Sequence, residues 1–413
     1  MTVQRSLIWV HRWTGLVIAA FLVAAGLSGS VLVFQYQLDA WLNPELFHAS
    51  TPGTALPPSE LVERVHKSDP RIFVSNVPLR VAAGEAAQMG VSARRDPSTG
   101  RRYEVEYDQV FVDPVSGQIL GTREGDDALI PQIYEFHYTL LAPGGYGKQA
   151  LGIVAIVWTI NCFIGLYLTF PQGGPFFRKW KPAWLVKYNV GFYRLNFDLH
   201  RAGGLWSWGV MLVLAVSSIY MNLNFEVFRP TVRLFSSLPA SVYEPKIYEP
   251  RMRAVAANPN RPLLSIEQAT AMARAEVARL GEPDLQPSHL SYFASIGVYR
   301  FLFRPSQFDR GSGLGRPILY LDASDGHVVS ADTPSNASAG QFFARLQYPL
   351  HSGRIAGVPG RIIVFLSGIL ITVLSLTGIY VWWKKRQARI VAKKRSQGRR
   401  AMAMAVEDRA ESG

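Results

Sequence analysis

Four of the eight histidines in this 413-residue chain, His11, His137, His200 and His351, stand just ahead of a long uncharged run. Neutral imidazole is a good ligand for iron and for zinc. Two imidazoles facing each other across a helix bundle can take both axial positions of a haem iron. Such an iron has no open position, so it moves electrons rather than activating oxygen. Zinc fits less well, because it prefers four ligands and no cysteine or carboxylate stands nearby at a ligand spacing. The single cysteine, Cys162, excludes an intrachain disulfide, thiolate zinc fingers, cysteine-ligated iron–sulfur clusters and C-x-x-C-H haem attachment. A plainer reading of any one such histidine is an anchor at a membrane interface. Four of them in matched pairs favour ligation.

The elements that must position these rings are four segments free of Asp, Glu, Lys and Arg. They lie between Arg12 and Asp39, Lys148 and Arg178, Arg201 and Glu226, and Arg361 and Lys384. A bilayer core takes about 20 apolar residues of helix, and the shortest run, 362–383, is 22 residues long. With 48% hydrophobic and 18% charged residues pooled in this way, a simple soluble globule and a disordered chain are excluded. The first run is too long for a signal peptide and has no clear small-residue cleavage site before Gln35, so it reads as an uncleaved anchor.

Basic residues give the orientation. Arg5 and Arg12, the loop from Arg178 to Arg201, and the tail opening with Lys384-Lys385-Arg386 hold 18 of the 43 basic residues. In a four-span chain these three pieces share one side, the cytoplasmic one. The net charge of +13 is therefore a topology and lipid signal, not a nucleic-acid one. The expected order is a first span with cytoplasmic N-terminus (1–37), an outer segment (38–147), a second span (148–171), a cytoplasmic loop (172–201), a third span (202–225), an outer segment (226–360), a fourth span (361–383) and a basic tail (384–413). His11 and His200 then lie at the inner face, and His137 and His351 at the outer face. About 30 Å of bilayer separates the faces, so only His11 with His200, and His137 with His351, can meet.

The chain also repeats itself. His11-Arg12-Trp13-Thr14-Gly15 and His200-Arg201-Ala202-Gly203-Gly204 share H-R-x-x-G. The second run ends in Gly165-Leu166-Tyr167 and the fourth in Gly378-Ile379-Tyr380, 28 residues after His137 and 27 after His351. In the outer segments, Val110–Leu120 parallels Leu319–Val329. Both are alternating strands joined by an Asp…Gly turn. Ser265 with Gln268 reads as a capping box opening a helix, and Val298–Phe303 reads as a strand. A matching helix near Ser59–His66 is only weakly signalled. Each outer segment is expected to be a helix on a small antiparallel sheet. Gly15, Gly26, Gly29, Gly152, Gly165, Gly203, Gly204, Gly368 and Gly378 could admit a flat macrocycle or simply pack helices closely. Arg12 and Arg201 at the inner face, and Lys148, Arg354 and Arg361 at the outer, are candidates for pairing with haem propionates. The alternative for Arg12 and Arg201 is ordinary inner-face charge.

The His11–Gly15 opening, the Leu350-His351-Ser352-Gly353 segment with Gly357 and Pro359-Gly360-Arg361, and the Gly378–Trp383 end resemble the PepSY-associated transmembrane family over the whole chain. The resemblance implies an α-helical membrane protein of four transmembrane helices from an internal duplication, with two periplasmic α+β PepSY-like domains. It further implies an inner-membrane protein with two bis-histidine haem b groups, His11 and His200 holding one and His137 and His351 the other. Such a protein would pass electrons to iron held in a periplasmic ferric siderophore. The sequence shows no flavin or nicotinamide fingerprint, so the electron donor is expected to be quinol or a separate cytoplasmic reductase. Two alternatives stay open: a haem-free membrane-anchored regulatory or binding module, and a di-haem conduit to another periplasmic acceptor.

Overall fold

The computed structural model describes residues 3–258, 263–305 and 313–411. The chain divides into two units, one of residues 1–30, 150–218 and 364–413, the other of 31–149 and 219–363. Among the described residues, four helical stretches are long and apolar enough to cross a membrane: Val3–Leu32, Leu129–Leu168, Phe192–Asn222 and Arg354–Gly398. These are spans 1 to 4 below. Every one of these helices starts ahead of its uncharged run, and those of spans 1 to 3 end before the run does. Span 3 starts at Phe192, so His200 sits inside it, as His11 sits inside span 1. Helix extends through the charged stretch because its charges pair along it. Asp198, with none of its side chain exposed, lies 3.1 Å from Arg194 and 3.0 Å from Arg201. His137 and His351 are placed differently, on the short helices Leu129–Thr139 and Ala339–His351 that precede the main helices of spans 2 and 4. The basic tail continues span 4 as helix, which runs Gly357–Glu411.

In the first unit, spans 1 and 4 cross at Gly26 and Gly368. A Cβ at either position would fall on the other's main-chain carbonyl. Ser30 Oγ, one turn on from Gly26, donates to the carbonyls of Gly26 and Phe365 at 2.9 Å each. Small residues four apart let two helix backbones touch where no water drives association. Packing is thus what Gly26 and Gly368 are for.

The second unit is built on one sheet of eight antiparallel strands: β1 (Ile72–Pro78), β2 (Ala87–Ala93), β3 (Gln109–Val112), β4 (Ile119–Arg123), β5 (Leu285–Phe293), β6 (Val298–Pro305), β7 (Ile318–Asp322) and β8 (Val328–Asp332). Their spatial order is β4-β3-β2-β1-β5-β6-β7-β8. Each half is a meander, and the halves join where Asn76, Val77 and Pro78 of β1 face Ser291, Leu290 and His289 of β5. The seam is fastened by Ser291 Oγ donating to Asn76 Oδ1 at 2.9 Å. Pairing β1 with β5 covers an edge that each meander alone would expose. The segments 38–147 and 226–360 therefore share one sheet.

A helix covers each half. The weakly signalled one forms fully as Pro58–Ser68 and buries Leu61, Val62 and Val65 on Ile72, Met89 and Val110. Its apolar residues stand at i, i+1 and i+4, one stripe of a helix. Ile266–Arg279 buries Ala269, Ala273 and Val277 on Phe301, Phe303 and Leu319. It opens with the expected capping box, Gln268 N donating to Ser265 Oγ at 3.2 Å and Ser265 N to Gln268 Oε1 at 2.9 Å.

The two Asp…Gly turns form as read. Asp113 Oδ1 accepts from the amides of Val115 and Ser116 at 2.9 and 3.0 Å, and Gly117 turns the chain at φ +70°. Asp322 Oδ1 accepts from Ser324 N at 2.8 Å, with Gly326 at φ +77°. Burial raises the Asp113 pKa, but the Ser116 amide, the Thr51 hydroxyl and the Val115 amide outweigh it and bring it down to about 2. A depressed carboxyl pKa stabilises the fold fully above its unfolded value, near 4, and that contribution is lost as pH falls through about 2. Asp113→Ala should cost about 2 kcal/mol at neutral pH. Thermal unfolding of wild type and variant from pH 6 to pH 2 should show the gap closing as the pH falls. A constant gap would mean that the turn does not depend on the ionised carboxylate.

Candidate histidine centres

His11 and His200 meet inside the first unit. Their ring centres stand 6.4 Å apart and their planes cross at 69°. One nitrogen of each ring is already held. His11 Nδ1 lies 2.9 Å from Asn161 Oδ1, which also accepts from Thr14 Oγ1 at 3.2 Å. His200 Nδ1 lies 3.0 Å from the Leu374 carbonyl and 3.3 Å from Thr377 Oγ1. Oxygen acceptors at Nδ1 put the proton there and leave the lone pair on Nε2. This is the arrangement that metal-binding histidines use to fix ring and tautomer.

Span glycines make room for both rings. A Cβ at Gly165 would stand 3.1 Å from Cε1 of His11, and a Cβ at Gly378 would stand 3.1 Å from Cε1 of His200. These are the two glycines that the repeat aligns. The Nδ1 partners match as well, since Asn161 and Leu374 each precede the glycine by four residues. The two seats differ in chemistry: span 2 supplies a side chain and span 4 a main-chain carbonyl. The glycines of the H-R-x-x-G pair face uncrowded space. A Cβ at Gly204 would meet nothing within 4 Å, and one at Gly15 would meet only Asn161 Nδ2 at 3.5 Å.

His137 and His351 meet in the second unit, with ring centres 6.3 Å apart and planes at 58°. Each is followed by a tight reversal into its span. A Cβ at Gly147 would fall on the Thr139 carbonyl, and one at Gly360 on the Gly353 carbonyl. In both cases the crowded carbonyl is two residues beyond the histidine. The His351 helix starts from a second capping box, with Gln341 N donating to Ser338 Oγ at 3.1 Å and Ser338 N to Gln341 Oε1 at 2.9 Å. Arg354, three residues after His351, is 5.7 Å from the Tyr348 ring centre, and Lys148 is 5.4 Å from that of Tyr138, the residue after His137.

The candidate arginines fare unequally. Arg12 Nε is buried and without a hydrogen-bond partner among the described residues, which suits an anionic group beside His11. Arg201 is taken up by the Ala183, Pro182 and Leu185 carbonyls at 3.0–3.2 Å and by Asp198. Arg361 donates to the Val33 carbonyl at 2.9 and 3.0 Å and to Gln37 Oε1 at 2.7 Å. Asn161, Thr14, Asp198 and Thr377 were not singled out in the sequence. A buried Asn in an apolar span was the available signal, since a polar side chain in that setting needs a partner. Of the other histidines, His66 accepts from the Val74 amide at 3.1 Å. His327 shares a cluster with Asp322 and Asp325, but Arg251 and Ser324 already hold Asp322.

A metal–imidazole bond is about 2 Å long and the ring centre lies about 1 Å beyond the nitrogen, so two rings on opposite sides of one ion have centres about 6 Å apart. Both pairs have that separation.

The chain matches the family of the PepSY-associated TM region over residues 8–385 and belongs to it. No curated protein matches it.

Asn161→Leu removes the acceptor at His11 Nδ1. It should lower the affinity of the His11–His200 pair for a metal or metallocofactor about 10–100-fold, measured as content per chain at limiting supply. Thr377→Val keeps the Leu374 carbonyl in place and should change it much less. Equal binding by both variants and wild type would show that these contacts do not govern the rings.

Proposed function

We propose that this member of the PepSY-associated TM family is a di-haem b reductase of the bacterial inner membrane. It would carry electrons outward to iron(III) in a ferric siderophore and release Fe(II). The observation that carries the reading is that the imidazoles come together as two couples, with ring centres 6.4 and 6.3 Å apart. That spacing would let the two rings of each couple hold one metal ion between them.

Bound haem would supply one-electron chemistry at each pair. The chain's residues do the rest. His11 and His200 present Nε2 because Asn161 and Leu374 hold Nδ1. Gly165 and Gly378 let the rings approach their helices, and the open side at Gly204 leaves space for a flat group. Arg12 would offer its unpaired Nε to a propionate. His137 and His351 would form the outer site, with Arg354 and Lys148 nearby as cations. On the basic-residue orientation, both termini are cytoplasmic and the sheet unit faces the periplasm. The helix–meander order, found twice along the chain, supports descent from an internal duplication. Siderophores bind iron(III) through hard oxygen ligands, and reduction weakens those bonds without breaking the chelator.

The visible spectrum of the detergent-purified protein, oxidised and dithionite-reduced, tests the reading, with a pyridine haemochrome assay for stoichiometry. About two haem b per chain are expected, falling to about one in His11→Ala and in His351→Ala. A colourless protein prepared with haem available would replace this reading with the haem-free regulatory module. Haem without ferric-siderophore turnover would leave a conduit to another periplasmic acceptor.

A further inference from the structure

In the first unit, the start of span 3 and residues 380–388 of span 4 border an open pocket of about 680 Å³. Its walls include Phe192, Tyr193 and Arg194 on one side and Tyr380, Lys384 and Lys385 on the other. Phe192 and Tyr380 meet edge to face, with ring centres 5.2 Å apart. The volume suits a small molecule, and the walls are chiefly apolar and aromatic.

The charges at this pocket do not cancel. Arg194 is tied to Asp198, whose carboxylate also serves Arg201. Lys384 Nζ lies 5.8 Å from the Tyr380 ring centre and 5.1 Å from that of Trp383. Lys385 Nζ lies 5.7 Å from that of Phe197. No carboxylate pairs with either lysine among the described residues. The first turn of span 3 adds the positive end of a helix, since the Gly191 carbonyl takes the amides of Arg194 and Leu195 and the amides before them have no helical acceptor. Two uncompensated ammonium groups beside an aromatic wall select an anion with an apolar or flat body.

We propose that this pocket binds a phosphate-bearing molecule, its phosphate on Lys384 and Lys385 and its body against Phe192 and Tyr380. Tyr380 follows Gly378, the glycine against which His200 is seated, by two residues. Two sources offer this chemistry: the headgroup of an anionic phospholipid, and a soluble phosphate-bearing aromatic carrier of the flavin mononucleotide kind. The proposal does not need haem at the histidines, so apo protein can be tested.

The test uses the full chain in neutral detergent, with two probes. One is quenching of flavin mononucleotide fluorescence on titration with protein. The other is native mass spectrometry of phosphatidylglycerol retained against phosphatidylcholine. K384Q/K385Q is compared with K393Q/K394Q, which removes the same charge from the exposed tail, and circular dichroism checks that both fold. At least one probe should bind wild type, weaken about 10-fold or more in K384Q/K385Q, and stay unchanged in K393Q/K394Q. Flavin quenching with that pattern identifies a soluble carrier, and phosphatidylglycerol retention alone identifies a lipid headgroup. Binding of neither probe, or equal loss in the two variants, overturns the proposal, the second result meaning general attraction to the basic tail.

Discussion

An imidazole inside an apolar helix bundle must find a partner for each ring nitrogen, because an unsatisfied polar group away from water is costly. Much of the first unit follows from meeting that demand at His11 and His200. Each ring lies against a glycine of a neighbouring span and gives its Nδ1 to the acceptor one turn earlier on the same helix. One face of span 2 and one face of span 4 are thereby committed to a histidine. The centres of the two rings stand 6.4 Å apart. The bundle packs as it does around this pair, with the close crossing at Gly26 and Gly368 holding spans 1 and 4 together.

The second unit solves a different problem. A four-stranded meander with one helix has two open edges and a small core. Joining two of them through β1 and β5 removes one edge from each and gives a sheet whose core runs under both helices, with Ile266 packed against both halves. His137 and His351 belong to this unit but not to its sheet. They come together on short helices that end in tight reversals, where glycine lets the chain fold back onto its own carbonyls.

Features that depend on near neighbours were readable. The four spans follow from composition, because lipid demands about 20 apolar residues whatever the fold. The Asp113 and Asp322 turns and the Ser265 cap close within five residues. The helix at Pro58–Ser68 was less visible, since it has no polar cap and only three buried apolar residues. Its stability comes from the sheet beneath it. Arg201 shows the opposite limit: its type and position suggested a ligand-facing charge, whereas the loop before it supplies three carbonyls that sequence could not bring within reach.

The sequence by itself determined that four histidines form two pairs, because a chain crossing a bilayer four times can bring only same-face residues together. It also aligned Gly165 with Gly378 through the repeat. Tertiary structure decided what those alignments do: that each glycine seats a histidine, that Asn161 holds one ring while a main-chain carbonyl holds the other, and that the two segments between the spans share one sheet. These depend on contacts between residues 150 or more positions apart. Such contacts are set by the packing of whole helices and strands, which no local spacing records.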